Sequence, residues 1–371
     1  AMMAARPVFA ATGGSDELRV GLIGCGGRGT GAARNALLAD PNAKLYALAD
    51  VFEDQVKVAL EKMKQSEAAD RVVVDSEHQF VGFDAYQKLV ECCDVVVLGT
   101  PPVFRPEHLE AAINAGCHVF AEKPIAVDGP GVRSVIRTCK KAAARNLNVV
   151  SGLCYRYQFA KPETAKRIHD GALGDIVAME CVYNTGTLWH KGREPEWSEM
   201  EYQLRNWLYF DWASGDHISE QHTNSLDKIM WVMQDKPPVK ATSSGGRVQR
   251  VEEKYGNVYD HFNTVYEWDN GVKCFSSCRQ WSNASTNVSD NIYGTKGRSF
   301  FQDHIIETYG GETWKYEPTG PDDMYQNELD ALFKAIRNGE VINNGDYMCK
   351  STLMAILGRM AAYSGKTVTW E

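Results

Sequence analysis

The feature that most constrains this chain is a glycine-rich turn placed directly after a short apolar strand. Leu18 to Ile23 is typical of a buried strand, and Gly24-Cys25-Gly26-Gly27-Arg28-Gly29 follows at once in the pattern G-x-G-x-x-G. In such a turn the first glycine permits the bend, the second lets the backbone approach a pyrophosphate, and the third lets helix and strand pack closely. Residues 30–39 have helical character, so the N-terminus of a helix would face the phosphates.

A carboxylate at the end of the next strand supports a dinucleotide site. Residues 43–49 form a second apolar strand that ends in Asp50, which lies 21 residues after Gly29. An acidic residue at about this spacing (roughly 20 residues) accepts hydrogen bonds from ribose hydroxyls and repels a 2′-phosphate. The spacing therefore favours NAD over NADP as the cofactor. The alternative is an ordinary glycine-rich strand–helix turn without a ligand.

Strands and helices continue to alternate up to residue 152. Residues 94–99 form a continuous apolar run, which is typical of a parallel strand buried on both faces. In such a doubly wound sheet, ligands bind beyond the carboxyl ends of the strands, where Thr100, Glu122 and Lys123 lie. The further predicted helices and strands occupy residues 106–115, 117–121, 131–145 and 147–152.

The second half of the chain has the pattern of an antiparallel sheet with helices. Residues 258–268 alternate in polarity, Asp269-Asn270-Gly271 is a type I′ hairpin signal, and residues 272–279 alternate back. Helices are predicted near 324–338 and 347–364. We therefore predict an α/β protein with a doubly wound Rossmann domain and an α+β domain whose large sheet is mainly antiparallel. The predicted divisions are an extension over 1–16, a dinucleotide domain over 17–152 and a substrate domain over 153–371.

Composition excludes several classes of protein. Of the 371 residues, 44% are apolar and 24% charged, which is close to the globular average and unlike a disordered chain. No apolar run approaches the roughly 20 residues that a membrane-spanning helix needs. The net charge of −8 argues against a nucleic-acid-binding protein. The ten cysteines are scattered, and Cys274 and Cys278 share one face of a predicted strand, so we interpret them as packing residues.

The first residues differ from the rest of the chain. Residues 2–12 are apolar and rich in alanine, and the small residues at 8–12 resemble the end of an export signal. The charged segment that such a signal needs is not visible. We expect an exported, periplasmic protein, with a cytoplasmic protein carrying an N-terminal extension as the alternative.

These motifs together resemble the Gfo/Idh/MocA oxidoreductase family, which includes glucose–fructose oxidoreductase and inositol dehydrogenases. The resemblance lies in the glycine turn, T-P-P at 100–102, G-C-H-V-F-A-E-K-P at 116–124, G-L-C-Y-R-Y at 152–157 and G-T-K-G at 294–297. It covers residues 18–371 and is similar to the often-exported members that read G-G-R-G and E-Q-H. It implies an NAD-dependent oxidoreductase acting on a secondary hydroxyl of a sugar or glycoside, with C3 as a candidate position. It also implies a homo-oligomer, a dimer or tetramer joined through the C-terminal sheet.

The resemblance identifies Lys123 as the first catalytic residue. A lysine beside the nicotinamide takes up the hydroxyl proton as hydride leaves, or polarises the substrate oxygen. Glu122 and Pro124 fix its surroundings. The predicted cofactor-binding residues are Gly24, Gly26, Gly27, Arg28, Gly29, Asp50, Thr100, Pro101, His108 and Glu122.

The chain departs from the family at the partner of that lysine. The family pattern D-x-G-x-H-x-x-D, anchored on Asp227, places Glu220, His222 and Asn224 where Asp, Gly and His are usual. Asparagine transfers no proton, so we predict His222 as the catalytic imidazole, with Glu220 orienting it or holding a sugar hydroxyl. The alternatives are that His222 only forms hydrogen bonds, and that Lys123 acts without a histidine.

Aromatic and cationic residues crowd the start of the second domain. Indole rings pack against the C–H faces of pyranose rings, and Arg and His bind their hydroxyls, so this composition favours a sugar. At least half of the four tryptophans in this region are instead expected in the core or in an interface; they are Trp189, Trp197, Trp207 and Trp212. The acidic and histidine residues at 216–222 match no named metal motif, so no metal is predicted. The predicted substrate-binding residues are Lys123, Tyr155, Arg156, His190, Arg205, Trp207 and Asn224.

Two other functions stay open. In one, oxidation, elimination or epimerisation, and re-reduction take place in a single site, so that the enzyme is a redox-neutral glycosidase or epimerase with retained NAD. In the other, the chain is a sugar or nucleotide sensor without turnover, for which the absent family histidine is the main support.

Overall fold

The structure, a computed structural model, describes residues 17–371, so the predicted export segment at 1–16 lies outside the described residues. The described chain divides into two compact units. The first runs to Ile125, resumes at Arg133–Cys154 and includes Asp323–Asp346. The second comprises Ala126–Val132, Tyr155–Asp322 and Tyr347–Glu371.

The first unit is built from short strands that alternate with helices. Its strands are β1 Leu18–Ile23, β2 Ala43–Asp50, β3 Gln79–Val81, β4 Val95–Leu98, β5 His118–Ala121 and β6 Val149–Ser151. The helices between them are α1 Gly27–Ala39, α2 Glu53–Lys64, α3 Ala85–Val90, α4 Arg105–Ala115 and α5 Gly129–Ala144.

All six strands of the first unit are parallel, in the order β3-β2-β1-β4-β5-β6. This is the doubly wound order in which two βαβ halves meet beside β1. Every residue of β4 is buried, as the continuous apolar run predicts. The parallel arrangement brings the carboxyl ends of all six strands to one edge, and the predicted Rossmann sheet is confirmed.

The second unit holds the remaining sheet and most of the later helices. Its first helices are α6 Ala160–His169, α7 Glu199–Arg205, α8 Asp211–Ser214, α9 Asp216–Glu220 and α10 Thr223–Val232. Its strands are β7 Ile176–Thr185, β8 Lys240–Gly246, β9 His261–Glu267, β10 Lys273–Gln280, β11 Asn287–Gly294, β12 Gly297–Phe300, β13 Ile305–Thr308, β14 Thr313–Lys315 and β15 Val368–Thr369. Two helices precede β15 in the chain, α11 Met324–Asn338, which belongs to the first unit, and α12 Gly345–Ser364.

The nine strands of the second unit follow the order β14-β13-β12-β11-β7-β10-β9-β8-β15. The pairing is antiparallel except between β7 and β10, which are parallel neighbours at the centre of the sheet. The inner face is apolar, and Cys274 and Cys278 of β10 are buried in its core, which confirms their interpretation as packing residues. The predicted mainly antiparallel sheet is confirmed.

The hairpin between β9 and β10 forms as predicted, but its turn type differs. Gly271 has a positive φ of +85°, whereas Asn270 is not among the residues with positive φ. The N–H of Gly271 donates to the carbonyl of Trp268, and the N–H of Trp268 donates to the carbonyl of Val272. This is a type I turn followed by a left-handed glycine, so the predicted type I′ turn is wrong. Over residues 17–371, no helix is both long and apolar enough to cross a membrane.

Candidate functional site

The glycine-rich turn has the geometry that its three glycines predict. Gly24 has a φ of +93°, and a side chain there would meet the backbone of Thr100. A Cβ on Gly29 would overlap the carbonyl oxygen of Gly24, so glycine is needed for the close approach of α1 to β1. A Cβ on Gly26 would meet no atom within 4 Å, so that stretch of backbone faces open space. The turn therefore leaves room for a ligand at the start of α1.

The start of α1 is suited to an anion. Gly26 is its N-cap, no side chain caps it, and its first turn contains no acidic residue. The N–H groups of that turn and the helix dipole together attract phosphate. Asp50 lies beside the turn, because its carboxylate accepts hydrogen bonds from the N–H of Cys25 (2.7 Å) and of Phe52 (3.0 Å). Turn, helix end and carboxylate together fit a dinucleotide.

His108 is buried next to Thr100, one of the predicted cofactor residues. Its Nδ1 lies 3.3 Å from Thr100 Oγ1, and its ring stacks on Phe104 with centroids 5.9 Å apart. Burial, with a smaller effect of Arg105, lowers the pKa of His108 to about 4, so the imidazole is neutral at pH 7. The structure thus gives His108 a contact that positions Thr100; direct cofactor binding by His108 stays a prediction.

Lys123 is the second residue after the end of β5 and is half-buried. Its backbone N–H donates to Glu122 Oε2 at 3.2 Å, and Arg105 Nη1 donates to the carbonyl of Pro124 at 2.5 Å. A Cβ on Gly152 would lie 2.9 Å from the carboxyl group of Glu122, so glycine at that position makes room for the carboxylate. The E-K-P segment is therefore held from both sides at the carboxyl edge of the sheet.

Arg28 joins the glycine turn to that segment. Its Nε lies 2.5 Å from Glu122 Oε1 and its Nη2 lies 2.6 Å from Glu328 Oε1. Its guanidinium also lies 4.5 Å from the ring centroid of Tyr325. The structure places the guanidinium between the carboxyl groups of Glu122 and Glu328, and cofactor binding by Arg28 stays a prediction. Glu328 was missed, because a single acid on an amphipathic helix 300 residues away gives no sequence signal.

The burial of Glu328 makes the stability of the protein depend on pH. Burial and the charge of Glu122 raise the pKa of Glu328 well above 4.5, although Arg28 opposes the shift. A raised carboxyl pKa gives stability that is complete below pH 4.5 and is lost as the pH rises towards the folded-state pKa. We expect Glu328→Gln to remove this loss. Between about pH 5 and pH 8 the melting temperature should fall less in the variant than in the wild type.

The matched control for this measurement is Glu110→Gln, which changes an exposed acid on α4. Its melting curve should follow the wild type at every pH. Parallel pH dependences for Glu328→Gln and the wild type would contradict the raised pKa.

The E-Q-H segment, residues 220–222 of the second unit, packs on the parallel pair β7 and β10. His222 is fully buried, and its Nε2 lies 2.7 Å from Ser276 Oγ and 3.8 Å from Cys181 Sγ. Its ring also contacts Tyr183 edge-on. His222 therefore faces the sheet, and its catalytic role, with Glu220 as the orienting group, stays a prediction.

Four consecutive residues after Gln221 bury a polar atom that has no hydrogen-bond partner. Such atoms are rare in folded proteins and call for water or a ligand. Asn224 shows the pattern best, since its Nδ2 donates to the carbonyl of Gln221 at 3.1 Å while its Oδ1 is unpaired. The unpaired atoms are His222 Nδ1, Thr223 Oγ1, Asn224 Oδ1 and Ser225 Oγ.

Arg156 forms hydrogen bonds with two carboxylates of the second unit. Its Nε and Nη2 donate to Asp227, and its Nη1 and Nη2 donate to Asp235. Its guanidinium lies 3.9 Å from the ring centroid of Tyr347 and 5.1 Å from that of Trp231. The guanidinium is thus in contact with two carboxylates and two aromatic rings, and substrate binding by Arg156 stays a prediction. The sequence could not show this, because Asp227 and Asp235 are 71 and 79 residues away.

Tyr155 packs on a buried cation. The Nζ of Lys228 lies 4.4 Å from the ring centroid of Tyr155, and Lys228 pairs with Asp290 in the interior. Contact between Tyr155 and a substrate stays a prediction.

The predicted aromatic residues lie in the segment after β7. His190 Nε2 is 3.1 Å from Tyr202 Oη, and the Trp207 ring lies 6.4 Å from that of the half-exposed Trp189. Arg205 instead pairs with Glu201 on its own helix, at 2.9 Å. The structure therefore brings aromatic rings together here but gives Arg205 a local partner.

The acidic and histidine residues near α9 form pairs and no metal centre. Asp216 Oδ1 lies 3.0 Å from His217 Nδ1, and Asp216 Oδ2 accepts a hydrogen bond from Tyr363 Oη at 2.6 Å. Within residues 17–371, no three His, Cys, Asp or Glu side chains are grouped so that they could hold a metal ion.

Comparison with known proteins relates this geometry to one family. Residues 18–150 match the model of an oxidoreductase family with an NAD-binding Rossmann fold. The chain is 32% identical to inositol 2-dehydrogenase 4 of Saccharopolyspora erythraea over 64% of this chain and 66% of that protein. It is 26% identical to 2,7-anhydro-N-acetylneuraminate hydratase of Mediterraneibacter gnavus, over 46% of this chain and 41% of that one. The chain spans less than half the length of the first curated relatives it matches.

Solved structures share the fold along almost the whole chain. Levoglucosan dehydrogenase in complex with NADH and levoglucosan superposes with a TM-score of 0.73 and 16% sequence identity. The match covers 95% of this chain and 99% of that one. At this identity the likeness concerns the fold alone.

Proposed function

This chain belongs to the Gfo/Idh/MocA family of oxidoreductases, and on that premise we propose that it is an NAD-dependent oxidoreductase acting on a secondary hydroxyl of a sugar or glycoside. The observation that carries the proposal is the carboxyl edge of the first sheet. At this edge the open glycine turn follows β1, Asp50 is the last residue of β2, and Lys123 comes two residues after the end of β5. A relative named as an inositol 2-dehydrogenase supports a polyol or sugar as the substrate.

The residues of the first unit divide the work of the reaction. NAD, when bound, supplies the hydride acceptor. The N–H groups at the start of α1 would hold the pyrophosphate, and Asp50 would accept hydrogen bonds from the ribose hydroxyls. Lys123 takes the proton of the substrate hydroxyl through its Nζ. Glu122 and Arg28 keep the Lys123 backbone in place, because they tie E-K-P to the glycine turn.

The test is a titration of the purified chain with NAD, followed by incubation with a panel of sugars and polyols. We expect saturable NAD binding and a net rise in NADH absorbance with at least one member of the panel. A chain that binds no dinucleotide, or that binds NAD but converts no sugar, would contradict the proposal.

A redox-neutral reaction is the second candidate. The observation in its favour is the relative from Mediterraneibacter gnavus, whose name describes a hydratase and not a dehydrogenase. In that case product forms from a glycoside or anhydro sugar with no net NADH, and NAD stays with the protein. Mass spectrometry of the products beside the absorbance measurement separates the two candidates.

Preference for NAD over NADP should depend on the charge of Asp50. Asp50→Asn keeps an acceptor oxygen beside the turn but removes the charge that would repel a 2′-phosphate. Since hydrogen bonds to charged groups are worth more than neutral ones, we expect the Kd for NAD to rise by about 10-fold or more. The Kd for NADP should fall relative to that for NAD. Calorimetric titration of both dinucleotides measures the ratio.

The control for this variant is Asp70→Asn, which changes an exposed acid in the same unit. It should leave both dissociation constants unchanged. An unaltered NAD to NADP ratio in Asp50→Asn would remove the ribose contact from the proposal.

Assembly through the second sheet also stays a proposal. Phe275 and Tyr293 lie on the face of that sheet opposite the core, and their side chains are 52% and 37% exposed. Apolar side chains at such positions suit contact with a second copy of the chain.

A further inference from the structure

Gln221, the middle residue of E-Q-H, has a side chain whose orientation is fixed from inside the protein. Its Oε1 accepts hydrogen bonds from Gln280 Nε2 at 2.9 Å and from Thr185 Oγ1 at 3.1 Å. Thr185 and Gln280 are the last residues of β7 and β10 and are directly paired in the sheet. The amide of Gln221 therefore lies at the carboxyl ends of the two parallel strands.

Arg250 sets the direction of these amide hydrogen bonds. A guanidinium only donates, and Arg250 Nη1 donates to Gln280 Oε1 at 2.5 Å. Gln280 must therefore direct its oxygen towards Arg250 and its Nε2 towards Gln221. Gln221 must in turn direct its oxygen towards Gln280. The positive charge of Arg250 thus fixes the orientation of the Gln280 amide, and through it the orientation of the Gln221 amide.

Arg250 itself is held firmly. Its side chain is 2% exposed, and its Nη2 donates to the carbonyl of Tyr259. Asp260 Oδ2 accepts hydrogen bonds from the N–H groups of Val248, Gln249 and Arg250 at 2.7, 2.7 and 2.9 Å. The Asp260 carboxylate thus binds the loop between β8 and β9, and this loop positions the Arg250 guanidinium against Gln280.

The consequence lies at the other end of the Gln221 amide. Its Nε2 has no hydrogen-bond partner among residues 17–371, and it is not one of the buried unpaired atoms, so it reaches accessible space. Two N–H donors are therefore presented in a fixed direction. Asn224, whose Oδ1 is buried without a partner, donates its Nδ2 to the backbone carbonyl of the same Gln221.

We propose that Gln221 is a specificity-determining residue that donates a hydrogen bond to an acceptor oxygen of the sugar, and that Arg250, through Gln280, is the residue that positions it. This inference rests on the proposed function. The group it recognises is a hydroxyl, ether or carbonyl oxygen that accepts a hydrogen bond. A substrate that lacks this oxygen leaves a fixed donor unpaired and binds less well.

Gln221→Glu isolates the outward donors. A carboxylate still accepts from Gln280 Nε2 and Thr185 Oγ1, so both internal contacts are kept and only the donors towards the sugar are lost. With saturating NAD, we expect kcat/KM for the sugar to fall about 10- to 100-fold, mainly through KM. The Kd for NAD should not change, since the dinucleotide residues lie in the other unit.

Gln280→Glu tests the positioning. A carboxylate at 280 accepts from Arg250 but donates nothing to Gln221, so the Gln221 amide turns and presents its oxygen outwards. This variant should raise KM for the sugar in the same way as Gln221→Glu, although residue 280 is 97% buried. A merely structural role would lower the melting temperature and leave KM unchanged. Gln65→Glu, on the exposed end of α2, is the charge control and should match the wild type.

The probes are NAD with myo-inositol, D-glucose, methyl α-D-glucopyranoside and N-acetyl-D-glucosamine, read by NADH absorbance and product mass. If the wild type converts none of them, the proposed function fails and this inference fails with it. If the wild type is active and both variants keep its KM, only the inference is overturned.

Monodeoxy derivatives of the active sugar extend the test to the wild-type protein, so that it does not depend on the variants folding. The derivative that lacks the oxygen bound by Gln221 should have a raised KM in the wild type, and Gln221→Glu should not raise this KM further. Equal KM values for all derivatives would overturn the inference.

Discussion

Replacing Lys123 with methionine should abolish turnover and leave the cofactor bound. Methionine has nearly the same length and keeps the apolar stem but has no Nζ to take the hydroxyl proton. Loss of a positioned acid–base group costs about 10²- to 10⁴-fold in rate. The glycine turn and Asp50 are not touched by this change, so the Kd for NAD should stay within about 2-fold of the wild type. Single-turnover NADH formation and calorimetry measure the two quantities.

Two further variants show what the loss means. Lys140→Met removes an exposed lysine from α5 in the same unit and should have no effect on either quantity. Lys123→Arg keeps a positive charge but does not exchange a proton near neutral pH, so it should be as slow as methionine if proton transfer is the role. If arginine restores the rate, the charge of residue 123 polarises the substrate oxygen, and acid–base transfer is not its role. Full activity of Lys123→Met would remove Lys123 from the catalytic site.

Much of the first unit could be predicted because its signals are local. The G-x-G-x-x-G turn, the apolar run at 94–99 and the position of Asp50 each depend on a few neighbouring residues, and each has the predicted place in the structure. The helix predicted near 324–338 is α11, which Asp323 caps at its start and Gly339 ends.

Other parts of the first unit gave weaker signals. Strand β3 has only three residues, none of them fully buried, so it lacks the apolar run that marks its neighbours. Helix α2, in the same stretch, is strongly charged and was also missed. The pairing of Arg28 with Glu328 joins residues 300 positions apart, and only the packing of α11 against α1 brings them together.

In the second unit, polar residues were easier to find than to interpret. The sequence singled out E-Q-H and Arg156, but residue type alone does not say whether a polar group faces a ligand or another side chain. His222 faces Ser276, and Arg156 faces two carboxylates. Gln221, which was given no role, is the member of the motif whose donors reach accessible space.

Asp227→Ala should be among the most destabilising changes in this chain. Asp227 is buried and accepts hydrogen bonds from Arg156 Nε and Nη2 and from Ser351 Oγ at 2.7 Å. Removing one partner of a buried ion pair leaves an uncompensated charge, which costs about 3–5 kcal/mol. Asp235, the other carboxylate that pairs with Arg156, is more exposed than Asp227, so it compensates the charge of the guanidinium only in part. The free energy of unfolding in urea, followed by tryptophan fluorescence, measures the loss.

The comparison that separates charge from packing is a double-mutant cycle. Asp269→Ala, which breaks the exposed pair with Lys236, should cost less than about 1 kcal/mol. Arg156→Met with Asp227→Leu removes the buried guanidinium together with its main partner and fills the same space with apolar groups. This double variant should be more stable than the single variant Asp227→Leu, because no buried cation is left without a partner. If the double variant loses as much as the sum of the single changes, Arg156 and Asp227 act independently. The guanidinium would then be free to serve a ligand, as the sequence alone indicated.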